Sequence, residues 1–237
     1  MKKVIPKGAI LVPETAERVF KGEIFEVYQW SQELFDGSHQ TFEMLKRDDT
    51  VITIGLVDNQ LLIIDEEQPH AGSHQSFPGG RIDPEDDSPL AAAQRETLEE
   101  SGYSFKHWRL IQVAQPAHKI EWFVYVFLAW EVSDVQDINP DPGEKIIVKL
   151  KDFEAVKSKA MRGVDYLGEA KDIFDGRGSI AELLEINEFQ GEIVDRWDQL
   201  FYNLNIRTKI QILKGSNTWK LGWQLMALAA SAVTPLK

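Results

Sequence analysis

Hydrophobic positions fall in short bursts through most of the chain, some with a period of two and others near 3.6, with turns marked by Gly, Pro, Asn and Asp. The first period belongs to half-buried strands and the second to amphipathic helices. Glu23 to Gln32 is loaded with Ile24, Phe25, Val27, Tyr28 and Trp30. After the turn at Asp36-Gly37-Ser38, a second run sets Phe42, Met44 and Lys46 against Thr41, Glu43 and Leu45. Both read as strands of an N-terminal β arm, residues 1–48, which cannot bury its faces alone. Val51 to Val57 and Leu61 to Ile64 read as a hairpin turning at Asp58-Asn59, residue types that tolerate positive φ.

Further along, the periods alternate. Phe77-Pro78-Gly79-Gly80 is a tight loop. Ser88 to Ser101 is punctuated as a helix: Ser88 caps it, Pro89 suits its first turn, Ala91 to Ala93 favour it and Gly102 stops it. Strands are expected at Arg109 to Ala114, Glu121 to Val132 and Lys145 to Leu150, and helices at Asp152 to Met161, Ser179 to Phe189 and Gly191 to Asn203. In the last of these Ile193, Val194, Trp197, Leu200 and Phe201 share one helical face. This gives a mixed α/β core over residues 49–189 and a helical extension over 190–237. Trp219 to Leu228 is an aromatic-rich apolar stretch expected to pack on the core or on a partner subunit.

The longest apolar tract, Leu221 to Val233, contains Gln224 and is well short of the ~20 apolar residues a bilayer requires. Pro6 and Lys7 interrupt the N-terminal apolar stretch too early for a secretory signal, so the expected compartment is the cytoplasm. The 237 residues carry 38 Asp and Glu against 26 Lys and Arg, a net charge of −12, and no cysteine. Disulfides, thiolate zinc sites, iron–sulfur clusters and cysteine nucleophiles are thereby excluded. The acid excess argues against nucleic-acid binding, which needs a basic surface, and suits a protein that holds cations.

That excess has a focus. In Arg95-Glu96-Thr97-Leu98-Glu99-Glu100-Ser101-Gly102-Tyr103, three glutamates stand at i, i+3 and i+4, so their carboxylates leave one face of the expected helix. Like charges at that spacing destabilise a helix, so the arrangement calls for a positive partner. Oxygen-only clusters suit hard cations such as Mg²⁺ or Mn²⁺, which bridge carboxylates to substrate phosphates. Arg95 can brace one of the acids.

Gly80 to Tyr103 resembles the box of the Nudix hydrolases, a Gly, then a Glu, then Arg-Glu-U-x-Glu-Glu-x-Gly-U at fixed offsets, where U is bulky and apolar. Arg95, Glu96, Glu99, Glu100, Gly102 and Tyr103 match. The first Glu is replaced by one of Glu85, Asp86 or Asp87, with Asp87 one residue too far from Gly80, and Thr97 stands where an aliphatic residue is usual. The order of elements over roughly residues 20–185 is similar to the ADP-ribose and nucleotide-sugar pyrophosphatase branch. The resemblance implies an α/β/α sandwich with a mixed sheet, a homodimer made through the N-terminal arm, and Mg²⁺-dependent cleavage of a diphosphate bond. It also implies that Glu96, Glu99, Glu100 and the Gly79 carbonyl bind metal, that an acid of the loop Ser133 to Glu144 serves as base or further ligand, and that arm aromatics stack the nucleobase. Glu144 matches the loop acid best, with Asp141 in reserve, and Tyr28 and Trp30 are the stacking candidates.

Other residues carry weaker signals. Arg81, beside the glycine pair, can meet a phosphate bidentately or pair with Asp83. His118 and Lys119 lie where related enzymes have a substrate-contacting loop. His70 and His74 read as a loop pair lacking a third zinc ligand. Asp175-Gly176-Arg177-Gly178 reads as a turn. A second class of function, a ligand-sensing Nudix domain without hydrolysis, is kept open by the tail from Arg207 onward, whose lysines have no acid among them.

Overall fold

A computed structural model describes residues 2–69 and 71–195. The chain divides into two compact units, Val4–Ile193 and a second made of Met1–Lys3 with Val194–Lys237; the site lies in the first. Its elements, with the short terminal strands, are β1 (Lys2–Ile5), β2 (Glu17–Lys21), β3 (Glu26–Glu33), β4 (His39–Lys46), β5 (Thr50–Val57), β6 (Gln60–Gln68), β7 (Gly72–Ser76), α1 (Pro89–Ser101), β8 (Tyr103–Ala114), β9 (Ile120–Glu121), β10 (Val124–Val135), β11 (Lys145–Lys151), α2 (Phe153–Met161), α3 (Lys171–Phe174), α4 (Ile180–Leu184) and β12 (Glu192–Asp195). A 3-10 turn, Asp165–Ala170, links α2 to α3.

The central sheet runs β11-β6-β5-β10-β8, with β7 added on β6. β10 pairs parallel with β5 (Leu128 opposite Ile54) and antiparallel with β8, so the sheet is mixed. β6 touches β5 only at Leu56–Leu61 and Val57–Gln60, then splays to pair with β11 and β7. Side chains of a strand alternate between faces, and β5 shows the consequence. Ile52, Ile54 and Leu56 face a core with Phe153, Val156, Phe174 and Leu183 from α2, α3 and α4, whereas Thr53 faces α1, where its hydroxyl shares a hydrogen bond with that of Thr97 at 2.9 Å. Helices therefore cover both faces, giving the expected sandwich. The expected hairpin turn is present, with Asp58 at φ 51.

The arm forms its own four-stranded sheet, β2-β3-β4-β9, around Val12, Tyr28 and Met44. Its last strand belongs to what the hydrophobic pattern merges into one long strand from Glu121. Asp49, buried, accepts the Phe123 N–H at 3.0 Å while Thr50 N–H donates to the Phe123 carbonyl. This breaks the run at Trp122-Phe123, so β9 pairs with β4 of the arm and β10 with β5 of the core. A buried ion pair, Lys46 to Glu121 at 3.2 Å, ties β4 to β9.

Two expected helices differ. The one over 179–189 stops at Leu184, because Arg109 Nη1 donates to the carbonyls of Leu184 and Ile186 at 2.7 Å and Phe189 N–H turns to Leu110 O. The one over 191–203 is a strand where it is described, β12, pairing with β1; its β-branched Ile193-Val194 favours that state. The rest of that helix, the apolar stretch Trp219 to Leu228, the lysines of the tail and His70 lie outside the described residues. Among those described, no helix is long and apolar enough to cross a membrane.

Candidate active site

The cleft is built around the junction of β5, the glycine loop and α1. Pro78-Gly79-Gly80 runs extended along β5, with Thr53 N–H donating to Pro78 O and Val51 N–H to Gly80 O. The approach is closest at Gly79, where only glycine fits: a Cβ there would stand 2.1 Å from the Val51 carbonyl oxygen, whereas one at Gly80 would stand 2.5 Å from the Glu96 side-chain Oε1. α1 starts where Ser88 accepts the Ala91 N–H at 3.1 Å and ends at Gly102, φ 75, which only a residue without Cβ adopts readily. Between those caps, Ala92, Ala93 and Thr97 are buried against the sheet, which turns Glu96, Glu99 and Glu100 toward the loop.

A cleft of about 570 Å³ results, and its lining includes Gly79, Gly80, Arg81, Asp83, Arg95, Glu96, Glu99, Glu100, Asp141 and Glu144. Of the residues proposed from sequence, all the metal and catalytic candidates and Arg81 are thus brought together, from the loop, from α1 and from the turn before β11. Tyr28, Trp30 and His118 do not line it. The Tyr28 ring is buried in the arm, its hydroxyl donating to Glu26 at 2.7 Å. Trp30 packs on that core beside Phe42, and His118 is exposed in the turn before β9. His74 belongs to a strand, not a loop, and lies 3.2 Å from Glu66.

Arg95 organises the acids. Its Nε and Nη2 meet the two carboxylate oxygens of Asp86 at 3.1 and 2.8 Å, Nη1 donates to Glu96 and Glu99 at 2.9 and 3.1 Å, and Nη2 also reaches the Arg81 carbonyl at 3.0 Å. Of the three acids that can stand for the first Glu of the box, Asp86 is the one turned to Arg95; Glu85 and Asp87 are exposed. The fork holds the Asp86 carboxyl below its usual range, and Asp86 in turn raises Arg95 further above its own. Thr97 is explained as well: fully buried, it shares its hydroxyl with Thr53, so the polar group has a partner.

The glutamates are less comfortable. Burial pushes Glu96 up to about 7, against the pull of Arg95. Burial also raises Glu100 well above the carboxylate range, although it accepts the Gly79 N–H at 2.8 Å, and Glu96, Glu144 and Glu66 add repulsion. Glu144 is raised by burial, then by Glu66 and Asp141. Carboxylates in this condition are stabilised by a nearby cation. Arg95 satisfies only part of the set, and the remaining donors are all oxygen, which fits a hard divalent ion. Among the described residues no three His, Asp or Glu side chains form a ready-made ligand group. Arg95 draws Glu96 and Glu99 to itself, so binding an ion requires those side chains to turn.

Sequence reading missed part of the wall. Glu23 and Ile24 before β3, Arg47 and Asp48 after β4, and Gln68 at the end of β6 all line the cleft. The Arg47 guanidinium lies over the rings of Trp122 and Phe25, 4.7 and 5.7 Å from their centroids, and burial lowers its pKa. None of these stands in a local pattern; the sheet topology brings them to the box.

A family model described as the NUDIX domain matches residues 46–166, a span that holds the glycine loop, α1 and Glu144. No curated protein matches the chain. Among solved structures, one described as the crystal structure of an ADP compounds hydrolase superposes with a TM-score of 0.55 at 20% identity, covering 74% of this chain and 98% of that one. At that identity the likeness establishes the shared fold.

Proposed function

Because the chain belongs to the Nudix hydrolase family, we propose that it is a Mg²⁺-dependent pyrophosphohydrolase of nucleoside diphosphates linked to another moiety, ADP-ribose or a nucleotide sugar first, releasing a nucleoside monophosphate and a sugar phosphate. The observation that carries this reading is the convergence of Glu96, Glu99 and Glu100, braced by the Arg95–Asp86 fork, with Glu144 across one cleft. The similar solved structure, described as a hydrolase of ADP compounds, agrees with the substrate class.

Glu96, Glu99 and Glu100, with the Gly79 carbonyl, would hold the cation, Mg²⁺ or Mn²⁺. When bound, it neutralises the diphosphate and polarises the phosphorus under attack. The protein's own residues do the rest. Glu144, half-buried and raised above the ordinary carboxylate range, takes the proton of the attacking water. Arg81, exposed at the rim beside Asp83, turns from that acid to a phosphate oxygen. Asp86 fixes Arg95, which gathers Glu96 and Glu99 at the cleft, from where they would turn to the cation. Tyr28, buried in the arm, has no ring face left for a base; stacking by Trp30, or contact through His118, requires the homodimer that the resemblance implies. The exposed Val19, Phe20 and Phe35 of the arm support one, and size-exclusion chromatography tests it.

The direct test is incubation with Mg²⁺ and a panel of ADP-ribose, nucleotide sugars, dinucleotides, nucleoside triphosphates and coenzyme A, with products identified by mass. Cleavage of triphosphates alone would overturn the substrate class. The intact carboxylate set favours an enzyme over a ligand-sensing regulator; no hydrolysis of any substrate, together with salt-sensitive binding to duplex DNA, would reverse that choice.

A further inference from the structure

Resting on the reading of Glu144 as the base, we propose that Gln68 is a positioning residue that holds the Glu144 carboxylate at the cleft and is itself anchored by a buried Glu66–His74 pair. Three strands meet at this point. Glu66 of β6 lies opposite His74 of β7 and opposite Ile146 of β11. The Glu66 side chain is buried, with one oxygen 3.2 Å from His74 Nε2 and the other accepting from Gln68 Nε2. The His74 ring is held in place edge-on by Tyr166, centroids 4.5 Å apart. The same amide nitrogen of Gln68 reaches Glu144 Oε1 at 3.5 Å. An amide nitrogen carries two N–H donors, and this one lies between two carboxylates.

Glu144 needs such a restraint. It ends the run Asn139-Pro140-Asp141-Pro142-Gly143, and its backbone is held by a turn bond to Asp141 O at 2.9 Å. Its side chain faces Glu66, Asp141 and Glu99, all of one sign, which would push it out of the cleft. A neutral donor set between Glu66 and Glu144 turns that repulsion into a shared hydrogen bond. The identity of residue 68 then follows from chemistry. A glutamate would add charge to the cluster, and a lysine would orient Glu144 but pair with it and weaken it as a base. The amide orients the carboxylate without neutralising it.

The test is a double-mutant cycle on the hydrolysis of ADP-ribose, or of whichever substrate the panel identifies. Gln68→Ala should lower kcat about fivefold, the worth of one long hydrogen bond, while KM changes by less than about twofold; the melting temperature should fall by roughly 2–6 °C because buried Glu66 loses a donor. Glu144→Gln should lower kcat at least ~100-fold, and the double variant should equal Glu144→Gln alone. A double variant in which both losses multiply, or a Gln68→Ala effect carried by KM, overturns the proposal. If the wild-type protein hydrolyses nothing, the functional reading fails separately. The positioning contact is then read by amide hydrogen exchange: Gln68→Ala should speed exchange at Glu144 severalfold relative to Val148 of β11, and unchanged exchange overturns it.

Discussion

Two adjacent glycines give the sharpest test of how this cleft is built, because the same substitution should fail at each for a different reason. A methyl group at Gly79 would stand 2.1 Å from the Val51 carbonyl oxygen and 3.0 Å from Ile52 Cα. Both belong to the backbone of β5, which is paired there with Tyr125 and Val126 of β10 and cannot give way. Gly79→Ala should therefore cost about 3 kcal/mol or more, the upper end of overpacking, and lower the melting temperature by roughly 6–12 °C for a chain of this size. A methyl group at Gly80 meets the Glu96 carboxylate first, with Oε1 at 2.5 Å and Oε2 at 2.8 Å. That is the mobile end of a side chain, and it needs to retreat by about 1 Å to reach ordinary contact. Gly80→Ala should cost under about 1 kcal/mol in stability and shift the melting temperature by less than about 4 °C. Activity should respond in the opposite sense, since misplacing a catalytic group by 1 Å costs on the order of 100-fold. Thermal melts and metal-dependent turnover, measured on both variants, separate the two. A Gly80→Ala protein with wild-type turnover, or one destabilised as much as Gly79→Ala, would refute the claim that this glycine exists to seat Glu96.

Glu96 also makes stability depend on pH. Its folded pKa lies near 7 against an ordinary 4.5, so its contribution is intact below about pH 4.5 and is lost as pH rises through 7; the cation-free protein should lose up to about 3 kcal/mol between pH 5 and 8. Scanning calorimetry should show that fall, a flatter profile for Glu96→Gln, and its removal by saturating Mg²⁺. Arg95→Lys replaces five hydrogen bonds with a single ammonium that cannot span Asp86, Glu96 and Glu99 at once, so kcat/KM should drop at least ~10-fold with the fold retained by circular dichroism. Glu99→Gln and Glu100→Gln should each lower turnover by orders of magnitude, about 100-fold or more; retained activity in both sinks the metal assignment. Thr97→Val should cost about 1–3 kcal/mol by leaving the Thr53 hydroxyl buried without its partner, and adding Thr53→Val should recover most of it, as read from urea denaturation.

The strands and α1 were legible because their signals are local: alternation in β3 to β6, and a Ser cap, an alanine run and a stop glycine around α1. What was not legible depends on distant capture of a backbone group. Asp49 breaks an apolar run into β9 and β10, and Arg109 ends α4 by taking two carbonyls. Neither residue differs in type or setting from many that do nothing of the kind. β7, Gly72–Ser76, has no apolar alternation and exists because β6 splays away from β5 and leaves its ladder open. The site divides the same way. The helix carboxylates announced themselves because their spacing is costly, whereas Arg47 and Gln68 sit in ordinary strand ends and reach the cleft only through the order of the sheet.

The departures from the box pattern are resolved by the same physics that makes the pattern recognisable. A buried position beneath the carboxylate face of α1 tolerates Thr97 because β5 supplies Thr53 in register, so a bond replaces an aliphatic contact. An aspartate replaces the first glutamate because Asp83 N–H donates to Asp86 Oδ2 at 2.8 Å and folds the loop so that the shorter side chain still receives both arms of the Arg95 fork. The constraint on this segment is therefore on where oxygen atoms stand relative to one guanidinium. That explains how the loop before α1 can change in spacing and residue type while Arg95, Glu96, Glu99 and Glu100 keep their offsets on the helix.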